Sequence, residues 1–283
     1  MMLELAIGDA YGAGFEFRNR AYVKAFNRVD HYGRQPLSIG RSGRYTDDTQ
    51  MSIAIAEVLV AGHEWTPLVL ADSFVRAFKR DPRVGYAPRF HRFLQGVRDG
   101  EDFLARIRPT SERSGAAMRA GPIGLLAHVD DVLQRAEVQA RITHDTTAGV
   151  TSAQAAALMV HHAAHDLGSP TELPAFVAEH VAGDWRTPWS GHVSIEGIPC
   201  VRAALTAVAE CSSLAELLRR CVDWSGDVDT VATIALAAAS CSKAYARDIP
   251  DRLVDDLERG PYGHDFLVGL DAELEAFRSR SRG

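Results

Sequence analysis

An all-α fold is the expectation for this chain, on three observations. Apolar residues recur every three to four positions in segment after segment. No stretch keeps the period-two alternation of a half-buried strand. Proline, glycine and Ser/Thr/Asp residues stand where helices would start and stop.

Taken in order, residues 2–7 form a short apolar segment that runs into Gly8-Asp9-Ala10-Tyr11-Gly12-Ala13-Gly14-Phe15-Glu16. Three glycines this close predict a helix breaking into a tight loop. Residues 18–44, with scattered arginines, glycines and aromatics, read as a loop. Thr46 is a candidate N-cap for a helix whose face is marked by Met51, Ile55, Val58 and Leu59. Asp47 and Asp48 then fall in the first turn, where the helix dipole favours negative charge. Thr66-Pro67 supplies an N-cap and a first-position proline for an apolar stripe at 68, 71, 74, 75 and 78.

Residues 80–113 are polar and broken, with Asp81-Pro82 and Ala87-Pro88 as punctuation. Ser114-Gly115-Ala116-Ala117-Met118-Arg119 opens another helical segment, interrupted at Gly121-Pro122. A helix around 130–142 ends at Thr143-His144-Asp145, and an alanine-rich helix over 151–166 stops at Gly168 with Pro170 beyond. Ser213-x-x-Glu216 is a capping box for a helix through Cys221. The helix after Thr230 is expected to reach Tyr245, and Asp248-Ile249-Pro250-Asp251 to open the next. With no Gly/Pro/Ser-rich linker and no repeat, residues 1–283 are expected to form a single domain.

Composition excludes several functions. The net charge of −6 speaks against a nucleic-acid-binding surface. Cys200, Cys211, Cys221 and Cys241 have no C-x-x-C spacing and read as buried thiols of a reduced compartment. The N-terminus lacks a basic region, and Glu4 and Asp9 interrupt its apolar start, so it is not a signal peptide. No apolar run reaches membrane-spanning length. A cytoplasmic setting without a membrane partner is expected.

Two acidic clusters carry the chemistry. Thr46-Asp47-Asp48-Thr49 and Gly226-Asp227-Val228-Asp229-Thr230 each precede a long apolar helical run. Either alone is an ordinary capped helix start. Together they form two matched oxygen-only clusters, which suits a hard cation such as magnesium. Burying that many carboxylates without counter-charge is prohibitive. The second cluster lacks the glycine and glutamate of an EF-hand loop.

Asp9 and Glu16 would be loop residues on their own. Beside a metal site, Glu16 becomes a candidate gate or water ligand, and Asp9 an anchor behind the ligands. Ser114-Gly115-Ala116 ahead of a helix can bind phosphate through free backbone N–H groups, although an ordinary N-cap would look the same. His161, His162 and His165 lack the companions of a zinc site and read as surface or satisfied histidines. His144, in a turn after a helix end, is better placed for function. Trp185 and Trp189 flank Pro188 and would either cap a core or stack on a base.

The order of these motifs resembles the ADP-ribosylglycohydrolase family. The resemblance rests on Gly8-Asp9-Ala10-Tyr11-Gly12 with Glu16, Thr46–Met51, Ser114–Arg119, Thr143-His144 and Gly226-Asp227-x-Asp229-Thr230, and spans residue 3 to about 250. It implies an all-α orthogonal bundle around two Mg2+ or Mn2+ ions. Thr46, Asp47, Asp48 and Asp229 would hold one ion and Asp227, Asp229 and Thr230 the other, with Asp229 bridging. The Ser114–Met118 segment, including Gly115 and Ala116, would bind the diphosphate of ADP-ribose beside His144. Asp9 is counted among the substrate-site residues, and Glu16 matches the acid that covers the substrate ribose and the metal site in the family's serine-specific branch. Ser225 and Val228 depart from the family's Gly-Gly-Asp-Thr-Asp-Thr, at positions expected to touch packing or the branch of the family and not metal binding.

The implied reaction is hydrolysis of the bond from C1″ of the distal ribose to a protein side chain, arginine favoured. The substrate would be an ADP-ribosylated protein, the product ADP-ribose, and the enzyme a monomer. Asp47, Asp48 or Glu16 would take the proton of the attacking water. A catalytically silent ADP-ribose-binding protein and a two-metal phosphohydrolase are the alternatives. Retention of all six metal ligands favours an enzyme over the first, and the Ser114–Arg119 and Thr143-His144 motifs would go unexplained by the second.

Overall fold

The computed structural model describes residues 1–35 and 42–281. Its helices form an inner set, buried almost all round, and an outer set with one apolar face. In chain order they are α1 (Met2–Gly12), α2 (Arg20–Phe26), α3 (Asp47–Val60), α4 (Pro67–Arg80), α5 (Pro88–Gly96) and α6 (Gly100–Arg106). The single turn α7 (Gly115–Met118) is followed by α8 (Val129–Arg141), α9 (Thr147–Ala164), α10 (Leu173–His180) and α11 (Gly197–Glu210). Last come α12 (Leu214–Asp223), α13 (Val228–Ala239), α14 (Asp251–Asp255) and α15 (His264–Ser281). Among the described residues only isolated bridges pair extended backbone, as between Val193 and Gly226, so the fold is all-α as expected. No described helix is long and apolar enough to cross a membrane.

The centre is the crossing of α1 and α13. All 12 residues of α13 are buried, which a sequence apolar on every face after Asp229 and Thr230, save for Thr233, allows. The two backbones approach so closely that side chains are excluded from α1 at the contact. A Cβ on Gly8 would stand 2.8 Å from the Ala232 carbonyl oxygen, and one on Gly12 only 2.4 Å from the Asp229 Cα. These glycines therefore lie inside a helix and serve the crossing. The loop expected there begins only after Gly12.

Several other expectations are corrected. Residues 20–26 are helical, capped by the Asn19 side chain, which accepts from the Tyr22 N–H at 2.9 Å. The broken stretch after residue 80 contains α5 and α6. Pro88, read as punctuation, is the first-position proline of α5, and Asp99 caps α6 by accepting from the Asp102 N–H. α9 starts at Thr147, ahead of 151, because Thr146 caps it by accepting from the Gly149 N–H at 3.0 Å. α13 stops at Ala239, short of Tyr245. Ser213 does cap α12, but the Glu216 carboxylate reaches back to the Ser212 N–H, so the reciprocal arm is displaced by one residue. Part of the loop expected over 18–44, residues 36–41, lies outside the described residues.

Candidate active site

The crossing of α1 with its neighbours delivers Asp9 to the start of α3. Thr46 occupies the N-cap position there, but its own side chain caps nothing. The Asp9 carboxylate, fully buried, does the capping from another helix. It accepts from the Thr46 N–H at 2.9 Å, the Thr46 hydroxyl at 2.8 Å, the Thr49 N–H at 3.0 Å and the Thr49 hydroxyl at 2.6 Å. These are the orphan donors of a first helical turn. Three of these donors reach Oδ2 and one Oδ1, and neither Asp9 nor Thr46 lines the cavity beyond. The substrate contact expected of Asp9 is thus replaced by a positioning one: it holds the turn that carries Asp47 and Asp48.

The second cluster is aimed by a strained turn. Ser225 and Gly226 both have left-handed backbone, φ +63° and +108°, and a Cβ on Gly226 would sit 1.8 Å from the Val193 carbonyl oxygen. Val193 and Ser225–Asp227 exchange backbone hydrogen bonds at 2.9 and 3.2 Å, which fixes Asp227 at the head of α13. The family's glycine at position 225 is therefore a backbone requirement and not a packing detail. Serine meets it at a cost of about 1 kcal/mol, with its Oγ buried and unpartnered.

At the bottom of the cavity the carboxylate oxygens of Glu16, Asp227 and Asp229 lie within 4.8 Å of one another. Asp47, Asp48 and Thr230 line the same floor without joining that close group. Asp227 accepts from the Ser114 hydroxyl at 3.0 Å and from the Cys200 thiol at 3.5 Å. Asp48 Oδ1 and Asp229 Oδ1 are buried with no hydrogen-bond partner. Burial, and the mutual repulsion of the group, push Asp47, Asp48 and Asp229 well above the usual carboxylate range. Burial with Asp227 and Asp9 nearby pushes Glu16 up to about 8. No described lysine or arginine forms an ion pair with any of these six acids. An all-oxygen donor set, orphaned carboxylate oxygens and uncompensated charge fit a divalent cation.

Above the floor the cavity measures about 1000 Å³. Ser114, Gly115, Met118 and His144 line one side. Ala116 does not line it; its carbonyl accepts from the Gln139 side chain at 2.9 Å, behind the turn. Burial and the nearby Arg119 guanidinium push His144 down to about 3, so its ring is neutral. The opposite side comes from the segment read as featureless: Tyr86, Arg89, Phe90 and Phe93, then Arg106, Arg108 and Arg113 at the rim. Tyr86 donates to Gln50 Oε1 at 2.7 Å, which ties this wall to α3. Arg89, Arg108 and Arg113 are exposed and make no ion pair among the described residues. Phe17, next to Glu16, is 58% exposed on left-handed backbone (φ +54°) and donates its N–H to the Gly226 carbonyl at 3.0 Å. Sequence reasoning missed this wall; the only signal was arginine alternating with phenylalanine over 89–93.

The remaining motifs resolve as ordinary structure. His161 sits against the Gly124 carbonyl at 3.2 Å, remote from the acidic floor, and joins no metal-like cluster among the described residues. Trp185 is core, donating to the Val181 carbonyl at 3.1 Å, and Trp189 is half-buried under Arg202.

Comparison with known proteins agrees with this geometry. A family model described as ADP-ribosylglycohydrolase matches residues 1–281. The chain is 28% identical to the ADP-ribosyl-[dinitrogen reductase] glycohydrolase of Rhodospirillum rubrum, covering 96% of this chain and 90% of that protein. It is 24% identical to the ADP-ribosylarginine hydrolase Tri1 of Pseudomonas putida, over 83% of this chain and 67% of that one. A solved ADP-ribosylglycohydrolase-related protein complex shares the fold, with a TM-score of 0.68 at 22% identity over 99% of this chain and 96% of its own. The chain belongs to the ADP-ribosylglycohydrolase family, hydrolases that act on the glycosidic bonds of ADP-ribose.

Proposed function

We propose that the protein hydrolyses the bond between C1″ of the distal ribose and the side chain of an ADP-ribosylated protein, with arginine the favoured acceptor, and that two Mg2+ or Mn2+ ions serve it. The carrying observation is the floor of five acids, Glu16, Asp47, Asp48, Asp227 and Asp229, with two orphaned carboxylate oxygens, at the bottom of a cavity of about 1000 Å³. Asp47, Asp48, Asp227, Asp229 and Thr230, which line the cavity, are the residues that would hold the ions. Thr46, set behind them with its hydroxyl hydrogen given to Asp9, would add only an oxygen lone pair, and the Glu16 carboxylate stands close enough to Asp227 and Asp229 to share an ion. Such cations would supply Lewis acidity, polarising the ribose hydroxyls and acidifying a water.

The chain's own residues do the rest. The Ser114 hydroxyl is committed to Asp227, so the diphosphate is left to the backbone N–H groups at the start of α7, with His144 beside them. The rim arginines supply the counter-charge that two phosphates need. Carboxylates around the anomeric carbon favour a transition state of oxocarbenium character, and Asp47, Asp48 or Glu16 accepts the water's proton. Glu16 and the exposed Phe17 ring together offer a carboxylate and an aromatic face, a combination that suits a guanidinium. The names of the Rhodospirillum and Pseudomonas relatives support the same reaction class. Four free cysteines, three of them buried, support a reducing, cytoplasmic setting for a single-domain monomer.

The test is ADP-ribose release from arginine-, serine- and glutamate-linked substrates, with Mg2+ and with EDTA. Metal-dependent release, fastest from arginine, is expected. Binding of ADP-ribose without cleavage of any substrate would indicate a silent binder, and release of inorganic phosphate a phosphohydrolase; either overturns the proposal.

A further inference from the structure

We infer that Arg119 and Thr143 are positioning residues that hold the His144 ring as its Nε2–H tautomer, so that it presents a donor to the cavity. The inference follows from counting hydrogens through a buried chain. The Arg119 side chain is only 1% exposed, packed over the Phe74 ring at 4.4 Å. Its Nε donates to Gln139 Oε1 at 2.6 Å, and its Nη2 donates to the Gln139 carbonyl at 3.0 Å and to Thr143 Oγ1 at 2.9 Å. A guanidinium has donors and no acceptor, so Thr143 Oγ1 accepts at that contact. The other partner of this hydroxyl is His144 Nδ1, at 2.6 Å.

Two arrangements are conceivable. If Nδ1 carried the hydrogen, Thr143 Oγ1 would accept twice and its own hydrogen, on a residue 5% exposed, would have no acceptor. If the hydroxyl donates to Nδ1, the Thr143 hydroxyl hydrogen has its acceptor and Nδ1 its donor, as buried polar groups require. The second arrangement leaves the ring's single proton on Nε2. The Nε2/Cε1 edge faces the turn: these atoms stand 3.2 and 3.0 Å from where a Cβ on residue 115 would be, and residue 115 is glycine. The same guanidinium orients Gln139 so that its Nε2 donates to the Ala116 carbonyl at 2.9 Å. One buried cation thus sets both the tautomer of His144 and the pose of the turn beside it. A fixed N–H donor in the wall recognises acceptor-only groups, of which phosphate oxygens are the class this cavity would take. That last step rests on the function proposed above; the tautomer does not.

The experiment is a long-range 1H–15N correlation spectrum of the ligand-free protein labelled with 15N-histidine, His144 being assigned by loss of its signals in His144→Phe. Nδ1 is expected in the unprotonated range and Nε2 in the protonated range. In Thr143→Val the pattern should shift toward the other tautomer, and affinity for ADP-ribose should fall about tenfold, the effect of one lost hydrogen bond. Thr143→Ser should restore both, with kcat at saturation little changed throughout. A protonated Nδ1 in the unmodified protein, or an unaltered tautomer and affinity in Thr143→Val, overturns the inference. If ADP-ribose fails to bind the unmodified protein, the proposed function falls while the tautomer result still decides this point.

Discussion

The floor and the wall of the cavity are built by opposite means. The floor is made mostly of helix starts on the inner helices α3 and α13, where its four aspartates are fixed by backbone they cannot leave, with Glu16 reaching in from the turn after α1. Asp9 clamps one start with four hydrogen bonds, and the Ser225-Gly226 turn aims the other. The opposite wall is made of short outer helices, α5 and α6, and the segment after them, where Arg89, Arg108 and Arg113 are exposed and make no ion pair among the described residues. Chemistry that needs fixed oxygens is placed where the chain is rigid, and counter-charge for a flexible ligand where side chains can follow it.

The contrast predicts a descending series of effects. Asp229→Ala should lower turnover at least ~10³-fold while the protein stays folded, since removing one buried carboxylate relieves repulsion; steady-state kinetics with a thermal melt checks both halves. Gly12→Ala should destabilise the fold by about 3 kcal/mol, because its methyl group meets the Asp229 backbone at 2.4 Å; urea unfolding reads this directly.

Metal removal should act through pH. The Glu16 carboxyl is raised from about 4.5 to about 8, and the buried aspartates shift the same way. Across that window the folded, metal-free protein holds protons that the unfolded chain releases, so its stability falls as pH rises from about 4.5 through 8. Melting temperature in EDTA should therefore drop from pH 5 to pH 8, and added Mg2+ should raise it more at pH 8 than at pH 5. The smallest effect belongs to the wall. Arg89→Ala, Arg108→Ala and Arg113→Ala should each raise KM by about two- to fivefold, with kcat unchanged and the loss shrinking at high salt. An effect of the size predicted for Asp229 would erase the distinction between floor and wall.

What could be read from the sequence follows the same division. A helix start that buries acids leaves a local signature, so Thr46–Thr49 and Gly226–Thr230 were legible as one site, and the capped helices α4 and α12 along with them. The 89–113 wall leaves only the arginines and phenylalanines of 89–93, a weak signature, because exposed arginines and half-buried phenylalanines occur on any surface until folding gathers them around one cavity. Two misreadings have a shared cause. Gly8 and Gly12 looked like helix breakers, and Asp9, read rightly as an anchor behind the ligands, was also counted among the substrate-site residues, because their roles are set by α13 and α3, which are distant in the chain. Ser225 looked like a packing change because left-handed backbone is invisible in a residue name.

The most direct measurement of the central claim is the rate of ADP-ribose release from an arginine-linked substrate as Mg2+ or Mn2+ is titrated back into EDTA-treated protein. The account predicts no release without the cation, a saturable return of activity with it, and no return in Asp229→Ala. Full activity in EDTA, or an Asp229→Ala protein that responds to metal like the unmodified one, would contradict it.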